Sequence, residues 1–161
     1  MEKIVRRASE NDIPAIMGLL KQVNKVHYDG RPDLFKLATK YNEEELRGIL
    51  SDDDTPVFVC DDGAGNVLGH GFCIMQRPEN TRLLTDILTL YIDDICVDEN
   101  ARRQQVGEEI YKHILDYARE RGCYNVTLNV WNCNPGAMKF YEKLGLKPYK
   151  VGMETIIGSK E

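Results

Sequence analysis

The stretch "DENARRQQVGEEIYKHILDYARERG", Asp98 to Gly122, follows the apolar run "LTLYIDDICV". Val106, Ile110, Ile114, Leu115 and Ala118 fall on one stripe. That spacing predicts an amphipathic helix from about Gln104 to Arg121, stopped by Gly122. A helix N-terminus exposes unpaired N–H groups and carries a partial positive charge. Arg102 and Arg103 add two full charges there, in a chain whose net charge is −5. The stretch reads either as an anion site, with phosphate the usual anion, or as a solvated basic loop.

Working outward, the hydrophobic period changes from segment to segment. "KIVRRA" reads as a first strand. "SENDIPAIMGLLKQVNKV" reads as a helix capped by Ser9, with Ile13, Ile16, Leu19, Leu20 and Val23 at helical spacing. "HYDGRPDLFK" reads as a turn-rich connection, since Gly30 and Pro32 break a helix. "NEEELRGILSDDD" is a short helix begun by Asn42. "PVFVCDDGAGNVLGHGFCIM" gives two strands around a hairpin turn, and "RLLTDILTLYIDDICV" a long third. After the central helix, "YNVTLNV" alternates as a strand. "NPGAMKFYEKLG" is a helix with Asn134 as cap, Pro135 at its first position and Gly145 at its exit. "KPYKVGMETII" reads as a last strand. The order β-α-α-β-β-β-α-β-α-β predicts an α/β domain with a mixed sheet.

Length and composition set bounds. The chain's 161 residues suit one domain, 1–161, with a real core. Its net negative charge argues against a nucleic-acid partner. No apolar run reaches the ~20 residues of a membrane span, and the start turns polar too soon for a signal peptide. Five scattered cysteines (Cys60, Cys73, Cys96, Cys123, Cys133) read as reduced thiols of a cytoplasmic protein. They lie apart from His27, His70 and His113, so no metal site is expected.

The element order and two motifs resemble the GNAT superfamily of acyl-CoA-dependent N-acetyltransferases. The family's pyrophosphate turn reads Arg or Gln, two residues, Gly, one residue, then Gly or Ala. Here it is Arg102-Arg103-Gln104-Gln105-Val106-Gly107. The family's second signature, an Asn, a small residue three on, a Tyr seven on, then Gly and an apolar residue, matches Asn134, Ala137, Tyr141, Gly145 and Leu146. The resemblance covers nearly the whole chain and is most specific from Tyr91 to Leu146. It implies a single-domain GNAT-like fold, with a central mixed, mostly antiparallel sheet flanked by helices. It also implies acetyl-CoA as co-substrate, held from Arg102 to Glu108 with Asn134, Ala137 and Tyr141 near it. Ile95, Cys96 and Val97 would line the pantetheine arm. One departure stands out: Gln105 occupies a position where glycine is usual. A helical Gln105 would still offer its N–H, with its side chain turned outward.

Acetyl transfer needs a neutral amine. An alkyl ammonium at pH 7 must lose a proton at a cost of roughly 4–5 kcal/mol, so a base or water relay helps. Asp93 and Asp94 are the candidates. Consecutive strand residues point to opposite faces, so at most one meets the thioester unless a bulge intervenes. The segment "YIDDICVDENARRQQVG" is also similar to diamine and polyamine acetyltransferases, where a glutamate matching Asp93 removes the proton. Tyr141 is the candidate acid toward the leaving thiolate, its alternative being a core tyrosine. Cys96 is a poor nucleophile candidate, because a central-strand cysteine is ordinarily inert. His27, Tyr28, Arg31, Asp33 and Phe35 lie where the resemblance puts the acceptor wall, and are otherwise a solvated loop. The expected activity is transfer to a small cationic amine by direct attack in a ternary complex, in a monomer or homodimer. The alternatives are acetylation of a protein N-terminus or lysine, and a non-catalytic acyl-CoA sensor.

Overall fold

The computed structural model describes residues 2–159. Five strands form one sheet in the order β1 (Ile4–Arg7), β2 (Val57–Asp61), β3 (Val67–Gln76), β4 (Thr89–Val97), β5 (Asn125–Leu128). The first three pairings are antiparallel, and β4 with β5 is parallel. The helices are α1 (Ile13–Gly30), α2 (Glu43–Leu50), α3 (Val106–Glu120) and α4 (Pro135–Lys143). The expected mixed, mostly antiparallel sheet flanked by helices is what forms.

Each face of the sheet buries one helix layer. On one face, Val106, Ile110, Ile114 and Ala118 of α3 pack on Phe58, Cys60, Cys73, Leu90 and Ile92. On the other, Ile16 and Leu20 of α1 and Leu46 of α2 pack on Val57, Val59 and Phe72. Full burial of each Ile or Leu contributes about 1.5–3 kcal/mol, so the apolar stripes dictate the layering. Glycine sets how close α3 lies. A Cβ on Gly71 would sit 2.9 Å from both Ile110 Cγ2 and Ile114 Cδ1, and one on Gly69 would sit 2.8 Å from the Cys96 carbonyl oxygen.

Local chemistry fixes the helix ends. Asn42 Oδ1 accepts from Glu45 N at 2.8 Å, and Glu45 Oε1 accepts from Asn42 N at 3.1 Å, a reciprocal cap. Gly122 and Gly145 close α3 and α4 at φ 76° and 97°.

Several boundaries differ from the sequence reading. α1 begins after a single 3₁₀ turn, Glu10–Asp12, and runs through Gly30, so His27 and Tyr28 belong to its last turns. Glycine weakens a helix only where the helix must continue, and here α1 ends on it. β4 starts at Thr89; Leu83 and Leu84 upstream are exposed. α3 begins at Val106, because Gln105 has left-handed backbone and cannot be helical. "KPYKVGMETII" forms no strand. Its alternation suits a sheet, but a strand exists through its ladder of hydrogen bonds, and among the described residues the sheet ends at β5. Tyr149, Val151, Met153, Ile156 and Ile157 are exposed, and Glu154 is paired with Arg31 instead.

Candidate active site

The register between β3 and β4 decides the site. Phe72 pairs with Asp94 and Cys73 with Ile92, which leaves Asp93 as an extra residue on β4. Ile92 and Ile95 both pack on the α3 side of the sheet. Two residues, not one, therefore separate them, and both Asp93 and Asp94 turn to the α1 side. This β-bulge cancels the alternation that would have put the two carboxylates on opposite faces.

Each carboxylate has its own partners. Asp93 is held by Lys40 Nζ at 2.7 and 2.8 Å and by the Tyr41 hydroxyl at 2.9 Å. Asp94 Oδ2 lies 2.8 Å from Nε2 of His70, which is fully buried. Toward a carboxylate, Nε2 must carry the proton, which leaves the buried Nδ1 without a partner among the described residues. The His70 ring meets Phe72 edge-on, and Phe72 stacks on Tyr41. These three rings back the carboxylate pair. Burial, and then Asp93, raise the Tyr41 phenol above its ordinary value, so it donates rather than ionises.

Beside the bulge the sheet parts. β5 pairs with β4 only from Thr89 to Ile92, so the edge of β4 from Asp93 to Val97 has no strand beside it on that side. The chain after Leu128 is drawn toward the end of α1. Trp131 meets Phe35 edge-on at 5.1 Å, and Phe35 stacks on His27 at 5.0 Å. Gly30 lies so close to Cys133 that an added Cβ would be 2.6 Å from its sulfur.

The N-terminus of α3 borders the same gap. Its first helical bond is Glu109 N to Gln105 O at 3.0 Å, so the N–H groups of Val106, Gly107 and Glu108 have no acceptor within the helix. Arg102, Arg103 and Gln104 are exposed around them. Arg103 and Gln105 are both left-handed, at φ 67° and 61°. Gly107 sits between strand and helix: a Cβ there would be 3.1 Å from Phe140 Cζ and 3.4 Å from Val97 Cγ2.

α4 supplies the opposite wall. Asn134 Oδ1 accepts from Ala137 N at 3.3 Å and caps it. Tyr141 follows Phe140 and is half-buried. Burial raises its phenol above the ordinary tyrosine range, and the charge of Asp94 adds to this. Tyr141 is therefore protonated and within electrostatic reach of Asp94.

Just past the end of α1, Arg31 is paired with Asp33 through two bonds of 2.9 Å, and with Glu154. Burial lowers His27, while Asp94 and Lys40 act on it in opposite directions. Tyr28 is half-buried on the same helix turn. Cys96 donates to the Leu19 carbonyl at 3.4 Å, and burial pushes its thiol up to about 12, which removes it as a nucleophile. Four residues of this region escaped the sequence reading: Lys40, Tyr41, His70 and Trp131. The only local signals for them are that His70 lies between two glycines and that Trp131 is the single tryptophan. Nothing local marks Lys40 or Tyr41, which reach Asp93 across more than 50 positions of sequence.

Comparison with known proteins identifies the family and the fold. Residues 22–146 match the family model described as Acetyltransferase (GNAT) family. The chain is 30% identical over 138 residues to glucosamine 6-phosphate N-acetyltransferase 1 of Oryza sativa subsp. japonica, covering 85% of this chain and 76% of that one. It is 26% identical over 161 residues to thialysine N-epsilon-acetyltransferase of Bos taurus, with 88% and 82% covered. A crystal structure of a point mutant of the BH1408 protein from Bacillus halodurans superposes with a TM-score of 0.91 at 25% identity, covering 96% of this chain and 99% of that one.

Proposed function

The chain belongs to the GNAT family of acetyltransferases, and on that footing we propose that it acetylates the primary amine of a small cationic metabolite by direct attack in a ternary complex. The co-substrate is acetyl-CoA, as in the family, and the catalytic unit is the whole chain, 1–161. Five free cysteines, three of them buried, suit a reducing cytoplasm. Among the described residues no helix is long and apolar enough to cross a membrane.

The residues present fit such a co-substrate. Three helix N–H groups and Arg102 and Arg103 suit a pyrophosphate. The unpaired edge of β4, at Ile95, Cys96 and Val97, offers backbone groups to an extended amide arm. Gly107, where a Cβ would meet Phe140 and Val97, lets strand, α3 and α4 approach closely. Acetyl-CoA would supply an activated acyl carbon. The protein's own residues do the rest. Asp93 and Asp94 attract the ammonium and accept its proton, directly or through water. Tyr141 gives a proton to the departing sulfur. Arg102 to Glu108 hold the anion.

The observation that carries the reading is the bulge that turns both carboxylates toward the acceptor side. It favours a cation over an anion. Arg31 and Lys40, the two cations of that side with ion pairs, are each already matched to carboxylates. The Bos taurus relative is named for acetylating thialysine, an amine of the proposed kind. The rice relative is named for a phosphorylated amino sugar, which is the second reading. The test is thiol release from acetyl-CoA with a panel of diamines, lysine analogues, amino sugars with and without phosphate, and lysine peptides. The proposal expects the cationic small amines to give the highest kcat/KM. A clear preference for glucosamine 6-phosphate or for peptides would replace it. Acetyl-CoA binding with no turnover on any amine would leave a sensor.

A further inference from the structure

The most unexpected partner in the site is Lys40. Its ammonium contacts both oxygens of Asp93, at 2.7 and 2.8 Å, which is the seat proposed above for the acceptor's ammonium. Three other lysines with ion pairs are matched to carboxylates elsewhere: Lys3 to Glu109, Lys25 to Asp29 and Lys112 to Glu108. Lys40 also acts electrostatically on His27 and Tyr91, so its charge lies among the groups of the acceptor side.

The arrangement suits a removable occupant. The Asp93 side chain is 11% exposed, whereas that of Lys40 is 49% exposed and enters from the connection between α1 and α2. A long stem on a loop can leave its seat at little packing cost. What it leaves is a shielded carboxylate still bonded to Tyr41. Any amine that binds Asp93 must displace Lys40, and Lys40 is itself a primary amine.

We infer that Lys40 is a resident acceptor: it occupies the ammonium seat on Asp93 and is acetylated by the protein itself when no other amine displaces it. The inference rests on the acetyltransferase reading above. The step balances without any redox partner. A bond forms between Lys40 Nζ and the acyl carbon as the carbon–sulfur bond of acetyl-CoA breaks. The ammonium loses two protons, one passing through Asp93 to solvent and one ending on the departing sulfur. The products are Nε-acetyl-Lys40 and the free thiol of CoA. The modification would be self-limiting. It removes the positive charge, breaks the Lys40–Asp93 pair and leaves a neutral amide where the ammonium had been.

The test incubates the purified chain with acetyl-CoA alone and follows it by intact mass and peptide mapping. The expected result is one acetyl group per chain, on Lys40, appearing at a rate independent of protein concentration. Lys40→Arg should abolish that site, Asp93→Asn should slow it roughly 10²-fold, as loss of a base does, and a good amine substrate should protect it. Acetylation spread over exposed lysines, or a Lys40 rate unchanged in Asp93→Asn, would overturn the inference. The same preparation is assayed for thiol release with added amines. Turnover on amines by a preparation whose Lys40 stays unmodified with acetyl-CoA alone overturns this inference alone, whereas no transfer to any amine together with no acetyl-CoA binding overturns the functional reading as well.

Discussion

Replacing Gln105 by glycine should make the protein more stable, although the substitution removes a side chain. Gln105 precedes α3 with φ 61° and ψ 21°, a left-handed conformation. For a residue with a Cβ this costs roughly 1–2 kcal/mol, and glycine adopts it freely. Against this, glycine gives the unfolded chain more freedom, worth about 0.4–1 kcal/mol. Gln105 is exposed and its side chain caps nothing, so little packing is lost. The carbonyl that accepts from Glu109 N belongs to the backbone and survives the change. The net gain is about 0.5–1 kcal/mol, or about 1–4 °C in Tm for a chain of this size. Gln105→Asn should fall between glutamine and glycine, and Gln105→Val should lose about 1 kcal/mol, because a β-branched residue tolerates positive φ worst. Urea and thermal unfolding of the four proteins measure the series. A glycine variant less stable than the parent, with unchanged m-value, would refute the assignment of strain to this turn.

Three other outcomes are expected. Arg102→Ala combined with Arg103→Ala should weaken acetyl-CoA binding at least tenfold by calorimetric titration, with a steeper loss at low salt. This pair is preferred to a Gly107 variant, whose Cβ would press on Phe140 and confuse charge with packing. Tyr141→Phe should lower kcat about 10- to 1,000-fold with cofactor affinity unchanged, and because burial raises the phenol, no Tyr141 limb should appear in the rate profile below pH 10. Asp12 is the stability test. Burial opposes its charge, but Arg6 at 2.8 and 3.0 Å and the Ser9 N–H outweigh this and lower it. A depressed carboxyl contributes stability above its ordinary value near 3.8 and loses it as pH falls through the folded value. Asp12→Asn should therefore cost about 1–3 kcal/mol at neutral pH and flatten the acid limb of the stability profile.

Much of this was legible from the sequence, and the rest was hidden for definite reasons. The α3 stripe, the Asn42 and Asn134 caps and the hairpin at Asp61–Asn66 are local signals, and each matches its element. The last strand was not legible, because a sheet edge depends on distant partners and not on the alternation of Tyr149, Val151 and Met153. Gly30 and Pro32 place the end of α1 too early in a sequence reading, because a breaker stops a helix only at its own position and α1 runs through Gly30. At the site, type and spacing mark Asp93, Asp94, Arg102, Gly107, Asn134 and Tyr141, and the structure sets the charge of Asp94 near Tyr141 and Gly107 against Val97 and Phe140. Their partners were invisible. Lys40 and His70 are chosen by folding alone, and the bulge that turns Asp93 and Asp94 the same way shows only in the pairing of β3 with β4.

That bulge is the point on which the account stands. The most direct measurement is steady-state thiol release from acetyl-CoA, across pH, with the best cationic amine, for the parent, Asp93→Asn and Asp94→Asn. If both carboxylates serve the acceptor, kcat/KM falls in both variants, roughly 10²-fold for Asp93→Asn with a flattened acidic limb, and about tenfold for Asp94→Asn. If the two side chains served opposite faces, one variant would behave as the parent. Parent-like kcat, KM and pH profile in both would remove the carboxylate pair from the reaction.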